Sequence, residues 1–448
     1  MVPVPRDLPL PLPVPEGFLL FLIVPSFLLH LLFVNLTVGG ALYSVIFEIT
    51  GLRFPRFDRL ARLVSETITV NKSMAVVLGI APLLVISLLY TPQFYAANTL
   101  TGHAWAMLVP LVSGAFLLAY LHKYTWDRWQ GRRKRRHLLT GVAMVLCFLF
   151  IPLIFLSNIN LMLFPEKWSE VSGFFASLRV GNVFPRYLHF LAASLALTGL
   201  FLAAWFGRRN SGVEERAPEF ERRELMRYFY RWTFFVSCAQ FVIGPLTILT
   251  LPTRGLGASV LVAILGGAAM AILTLLMLWE EIQRPRLTMG WRYWVITSFF
   301  ALTALEMGYG RHRYREETLA EHKRLVQERT LDFQGIESGT QMLIAAGLGS
   351  GESRTGPPSG RTVFLQVCGS CHSRTRPVYA PALTEIYELH KDHPEDIVKW
   401  AKNPGKKRPQ FQQMPSMDHL GDEALEAVAK YMLEQGAPVV QKASASKN

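Results

Sequence analysis

The stretch LLHLLFVNLTVGGALYSVIFEITG, residues 28–51, decides how the rest of the chain is read. It belongs to an apolar run from 17 to 50 that also holds one imidazole, His30. Crossing the hydrocarbon core as helix takes about 20 apolar residues, so this run crosses and then continues. Seven further runs follow, at 73–95, 103–122, 138–163, 186–206, 229–251, 256–279 and 290–309. With 51% hydrophobic residues in 448, the soluble part is small. The expected fold is all-α, a polytopic membrane helix bundle of about eight spans.

The net charge of +13 is distributed in clusters between the apolar runs, which excludes a nucleic-acid partner and fits an orientation signal in membrane lipid. Connections after spans one, three, five and seven carry Arg53, Arg56, Arg59 and Arg62, then Lys123 with Arg128 to Arg136, then Arg208 to Arg227, then Arg284 and Arg286. The alternate connections are nearly bare. Those basic loops are expected in the cytoplasm of a bacterial inner membrane, with both termini periplasmic. The opening residues 1–16 read as a proline-rich periplasmic tail without a removable signal peptide. Cys147 and Cys238 lie in apolar runs and are given no role.

After the last span come a polar, helical segment from Arg311 and a glycine- and serine-rich linker, together 311–359. Then QVCGSCHSRTRPVYAPALTEI begins at Gln366. C-x-x-C-H is the spacing that attaches a haem covalently and supplies one iron ligand, here Cys368, Cys371 and His372. No second Cys/His pair with zinc spacing follows. Residues 360–437 resemble a small all-α class I cytochrome c. YAPALTEI resembles the loop whose proline carbonyl holds the proximal histidine, FQQMPSM the loop of the sixth ligand, and DEALEAVAKYMLEQG the closing helix. The resemblance implies Met414 as sixth ligand, with Met417 as its substitute. Residues 438–448 read as a disordered tail.

Ionisable groups inside a span carry a functional hypothesis by default. His30, His189 and Glu306 stand toward the periplasmic half, and His103 and His122 flank the third run. From chemistry alone the histidines are haem ligands or hydrogen-bonded core residues, and Glu306 is a ligand or a solvated carboxylate.

The run around His30 resembles the first helix of subunit I of the cytochrome bd quinol oxidases. Further resemblances keep chain order: TWDRW at 125–129, LSNINLMLFP at 156–165, VFPRYLHFLAASLALTGLFLAAW at 183–205 and ALEMGYGR at 304–311. Over 17–310 the resemblance implies His30 as axial ligand at the oxygen site, His189 as ligand of a low-spin haem b, and Glu306 as ligand of a high-spin haem b. The departures are as informative. The run from His103 to His122 has no Asp or Glu, so a proton route is missing or rerouted. The quinol-binding loop is reduced to LPTRGLG, the ninth helix is replaced by the linker and haem c domain, and the Arg-x-Met of the seventh helix is absent. Met270 and His103 are the candidates for the vacant sixth position.

The implied cofactors are one covalent haem c and one to three haems b, with haem d as the alternative at one site. The reading is a haem-containing subunit of a bd-like respiratory complex, an electron-transferring oxidoreductase linking intramembrane b haems to a tethered periplasmic haem c. Its alternatives are a cytochrome c-fed terminal oxidase reducing oxygen, and an assembly or carrier subunit without membrane haems. The implied partners are a second bd-like membrane subunit forming a heterodimer, a quinone or quinol, and a periplasmic electron-transfer protein.

Overall fold

The computed structural model describes residues 12, 14–285, 287–345, 359–369, 371–375, 377, 380–406, 408, 411 and 413–437, with side chains at 69–72, 332 and 335–345 excepted. Arg286, most of the proline-rich tail, the linker at 346–358 and the segment 438–448 lie outside the described residues. Helices are the only regular elements among those described.

Helices stand over all eight apolar runs. Helix α1 (Glu16–Gly51) turns at 52–54 into α2 (Pro55–Leu89), which is followed by the short α3 (Thr91–Thr101). The third run is split into α4 (His103–Ala106) and α5 (Leu108–Tyr124). Then come α6 (Lys134–Leu161), the short α7 (Phe174–Ser177), α8 (Val183–Gly207), the single turn α9 (Val213–Arg216), α10 (Arg222–Leu249) and α11 (Ala258–Gln283). Among the described residues five helices are long and apolar enough to cross a membrane alone; α2 joins them as a pair bent by 41°, and α5 is shorter. The last run opens α12, which continues without a break from Trp291 to Ala345, so the polar segment after the span is helical to that point.

Small residues let the helices touch, which is how bundles pack where lipid removes the hydrophobic drive. A Cβ on Gly39 would lie 2.4 Å from the Ser194 carbonyl of α8. There Ser194 Oγ donates to Asn35 Oδ1 at 2.8 Å, fixing α1 against α8. The basic connections gather at one end of the bundle, where Trp126, Val213, Phe220 and Leu287 share an aromatic-rich core with Phe47, Phe206 and Phe229. At the opposite end Leu19, Ile23, Tyr90, Phe94, Trp168 and Leu319 form a second core.

Contacts divide the chain into two compact units, with the boundary between Lys323 and Arg324 inside α12. The second unit holds α13 (Gly360–Val363), a π-turn over Phe364–Cys368, α14 (Leu383–His390), α15 (Pro394–Lys402) and α16 (Asp422–Gly436). Val363, Phe364, Leu383, Ile386, Ala424, Val428 and Met432 form its core. Glycine is demanded at both helix crossings. A Cβ on Gly360 would collide with the Ala427 carbonyl of α16, and one on Gly436 would sit 2.2 Å from the Leu383 carbonyl of α14.

Candidate functional site

In the second unit the π-turn ends at Cys368, and the amides of Cys371 and His372 both donate to the Cys368 carbonyl, at 3.1 and 2.9 Å. The motif is thereby wound into a compact turn. His372 Nδ1 donates to the Pro381 carbonyl at 2.9 Å, which leaves Nε2 as the ring nitrogen with a free lone pair. Leu383 N bonds to the Ser373 carbonyl at 2.8 Å, tying the segment after the motif to the start of α14. Burial holds the His372 imidazole below its ordinary pKa, partly offset by the Pro381 contact, so the ring stays neutral and able to bind a metal. Burial, with Cys371 beside it, pushes the Cys368 thiol up to about 11. Met414 and Met417 are half-buried on a loop anchored to the end of α15, where Met417 N donates to the Ala401 carbonyl at 2.8 Å and Ser416 Oγ to the Lys402 carbonyl at 2.6 Å.

In the first unit His30 Nδ1 donates to the Ala75 carbonyl of α2 at 2.8 Å, so its Nε2 is likewise left free. The imidazole lies against Gly79, where a Cβ would meet His30 Cε1 at 2.8 Å. Only glycine leaves room for the ring. His189 is half-buried on α8, and its buried Nδ1 has no hydrogen-bond partner. Its backbone carbonyl accepts from Gln240 Nε2 of α10 at 2.9 Å. His30 and His189 each precede by five residues the bonded pair Asn35 and Ser194, about 7.5 Å of helix rise, so they share one end of the bundle. Glu306 joins them in level, because Gly308 two residues on packs against Leu28 of α1. Its own side chain is exposed on the outer face of α12, not enclosed with the two histidines. Met270 is half-buried on α11, and His103 is exposed at the start of α4.

Two arginines complete this end. Arg186 Nη1 is buried without a partner, and Arg311 lies over the Phe27 ring at 5.0 Å; neither forms an ion pair among the described residues. Both guanidinium groups are within electrostatic reach of His189 and of each other. A buried cation without a counter-charge is expensive. Together with the orphaned Nδ1 of His189 and Oε1 of Gln240, the cluster fits an anionic group carrying a metal, as a haem with its propionates is. Sequence reading missed Arg186 and Arg311, though a positive charge three residues before His189 in an apolar run was a usable signal.

At the opposite end lies a cluster the sequence reading also missed. Glu48, His122 and His137 place their donor atoms within 4.8 Å of one another, the one such group among the described residues. Each donor is taken up by hydrogen bonds inside the cluster, and the Lys134 ammonium sits 2.9 Å from Glu48.

The comparisons bear on both units. The model of the family "Cytochrome C oxidase, cbb3-type, subunit III" matches residues 356–432. The bd oxidase structure from Geobacillus thermodenitrificans superposes with a TM-score of 0.54 at 14% identity, covering 68% of this chain and 87% of that one. The chain joins a bd-oxidase-like helix bundle to a c-type cytochrome domain. At that identity the likeness of the bundle is one of fold. No curated protein matches the sequence. The C-terminal domain makes this a haem-bearing electron-transfer protein of the membrane, with haem c as its cofactor.

Proposed function

We propose that this chain is the haem-bearing subunit of a bd-like respiratory complex and passes electrons between its membrane bundle and its own c-type domain. The observation that carries this reading is the set of unpartnered buried atoms at one end of the bundle, Arg186 Nη1, His189 Nδ1 and Gln240 Oε1, in a chain that also bears C-x-x-C-H. Haem, where these residues hold it, supplies the one-electron iron chemistry.

The residues have separate tasks. His30 offers Nε2, its ring fixed by the bond to the Ala75 carbonyl. His189 offers a ring nitrogen, and Arg186 and Arg311 supply the positive charge that propionates need in a poorly hydrated site. Glu306, on the outer face of α12, serves as ligand where a neighbouring subunit covers that face, which fits a heterodimer with a second bd-like membrane subunit. In the c-type domain Cys368 and Cys371 would hold the haem covalently, and His372, through Nε2, and Met414 would be its iron ligands. With the basic loops cytoplasmic, the c-type domain is periplasmic and exchanges electrons with a quinol-reduced bundle on one side and a periplasmic protein on the other. Tethering raises the effective concentration of the exchanging pair.

Direct oxygen reduction is the less favoured role, because α4 and α5 bring no carboxylate between His103 and His122. The test is a reduced-minus-oxidised spectrum of the purified complex, repeated under carbon monoxide. Signals of b and c type that carbon monoxide leaves unmoved support electron transfer alone. A high-spin signal that moves supports oxygen chemistry at this subunit, and a spectrum of c type alone removes both roles.

A further inference from the structure

The cluster at the arginine-rich end is a chain of hydrogen bonds that runs inward from the surface. Asp58 of α2 accepts from Lys134 Nζ at 2.6 Å, and Lys134 Nζ reaches Glu48 Oε1 of α1 at 2.9 Å. Glu48 Oε1 is 2.5 Å from His137 Nδ1 of α6, and its Oε2 is 2.8 Å from His122 Nε2 of α5. Side-chain exposure falls along the same path, from 22% at Asp58 through 14% at Lys134 to 0% at Glu48 and His137. Trp126 closes the cluster on one side, its ring edge-on to both imidazoles and its face 4.7 Å from the Lys134 ammonium. Gly141 closes another, since a Cβ there would lie 2.8 Å from His122 Nε2.

The protons in this arrangement can be counted. His137 Nε2 faces the His122 carbonyl at 2.8 Å, and a carbonyl only accepts, so Nε2 carries hydrogen. A neutral His137 would then turn a bare Nδ1 toward the carboxylate at 2.5 Å, lone pair against lone pair. The contact requires one more proton, on His137 or on Glu48. Charge gives the same answer. Two carboxylates, Glu48 and Asp58, against one ammonium, Lys134, leave one negative charge uncompensated, and a single extra proton cancels it, as burial demands.

We propose that Glu48 and His137 form a proton-binding site that takes a proton from water on the arginine-rich side, through Asp58 and Lys134, and holds it inside the bundle. Hydronium gives up one proton and leaves water, and the cluster passes from a charge of minus one to zero. Its direction rests on the reading of that side as cytoplasmic. The buried carboxylate comes from α1, and the run from His103 to His122 contributes only an imidazole. Along α1, Glu48 lies 18 residues from His30, about 27 Å of rise, and the helix buries Ser44, Thr37 and Asn35 between them. Glu48 already meets the Lys134 ammonium and both imidazoles, so its oxygens are taken up within the cluster and the geometry favours a proton over a metal.

The test is infrared spectroscopy of the full chain in lipid nanodiscs, with isotope-labelled histidine, across a pH titration. It needs no haem signal. The expected result is one proton per chain, seen as coupled changes in one carboxyl band and one imidazolium band, abolished in Glu48→Gln and retained in Glu48→Asp. His137→Gln provides the same loss should Glu48→Gln fail to accumulate. Identical spectra from wild type and Glu48→Gln would overturn the proposal. So would one equivalent of zinc in the purified wild type that Glu48→Gln loses. A chain that keeps the proton signal while lacking b haem sustains this site and removes the haem reading alone.

Discussion

Two clusters at opposite ends of the membrane bundle are built from similar residues and left in opposite states. At one end Arg186 Nη1, His189 Nδ1 and Gln240 Oε1 are buried atoms without a hydrogen-bond partner. At the other, Glu48, His122, His137, Lys134 and Asp58 satisfy one another in a closed set of contacts between 2.5 and 2.9 Å. Buried polar groups are nearly always paired, so an unpaired set marks a place for something the chain alone does not supply. A paired set needs nothing larger than a proton. On the reading proposed above, the state of the hydrogen bonds, rather than burial of charge, separates the cofactor end from the other.

The comparison can be broken by substitution, beginning with the largest effect. His189→Ala should abolish one b-type signal entirely and leave the infrared signature of Glu48 intact, whereas Glu48→Gln should keep every haem. Loss of b haem in Glu48→Gln would merge the two ends into one site. Arg186→Gln comes next. Removing one partner of a buried charge pair costs roughly 2–5 kcal/mol, so b haem should be released more readily on dilution, with haem c unchanged. Equal retention would show that Arg186 faces no anion.

The second unit sharpens the contrast, because its glycines fail by collision. Gly436→Ala places a methyl 2.2 Å from the Leu383 carbonyl, and overpacking of this kind costs roughly 1–3 kcal/mol. Hydrogen exchange in α14 and α16 should quicken while the bundle is unaffected. The smallest effect concerns His372, whose burial lowers its pKa in the folded state. Below about pH 6.5 the unfolded chain binds the extra proton and is favoured. In Cys368→Ala/Cys371→Ala protein, the stability of this unit should be complete above that pH and fall on acidification, a slope that His372→Gln should flatten.

Much of this was legible in the sequence for a physical reason. Twenty-residue apolar runs have few other uses, and arginine clustering orders their ends, so helices were placed over all eight stretches. The C-x-x-C-H spacing is local and survives any uncertainty in the fold. The break that separates α4 from α5 and the unbroken length of α12 were not legible, since neither alters hydropathy. Glu48 was passed over at the end of a run that is otherwise apolar, and its partners at 122 and 137 are far away in sequence. Only the packing of α1 and α5 against α6 brings them together. Glu306 shows the reverse case, a residue whose local motif was plain but whose exposure on α12 only the structure reveals.

The central claim is that the unpartnered end of the bundle holds haem in a chain that also carries haem c. Counting pyridine haemochromes per chain in the purified protein and in His30→Ala and His189→Ala tests it most directly. The account predicts one haem c throughout, b haem in the wild type, and one fewer b in each variant. One haem c with no b haem in the wild type, or b haem unchanged in both variants, would contradict it.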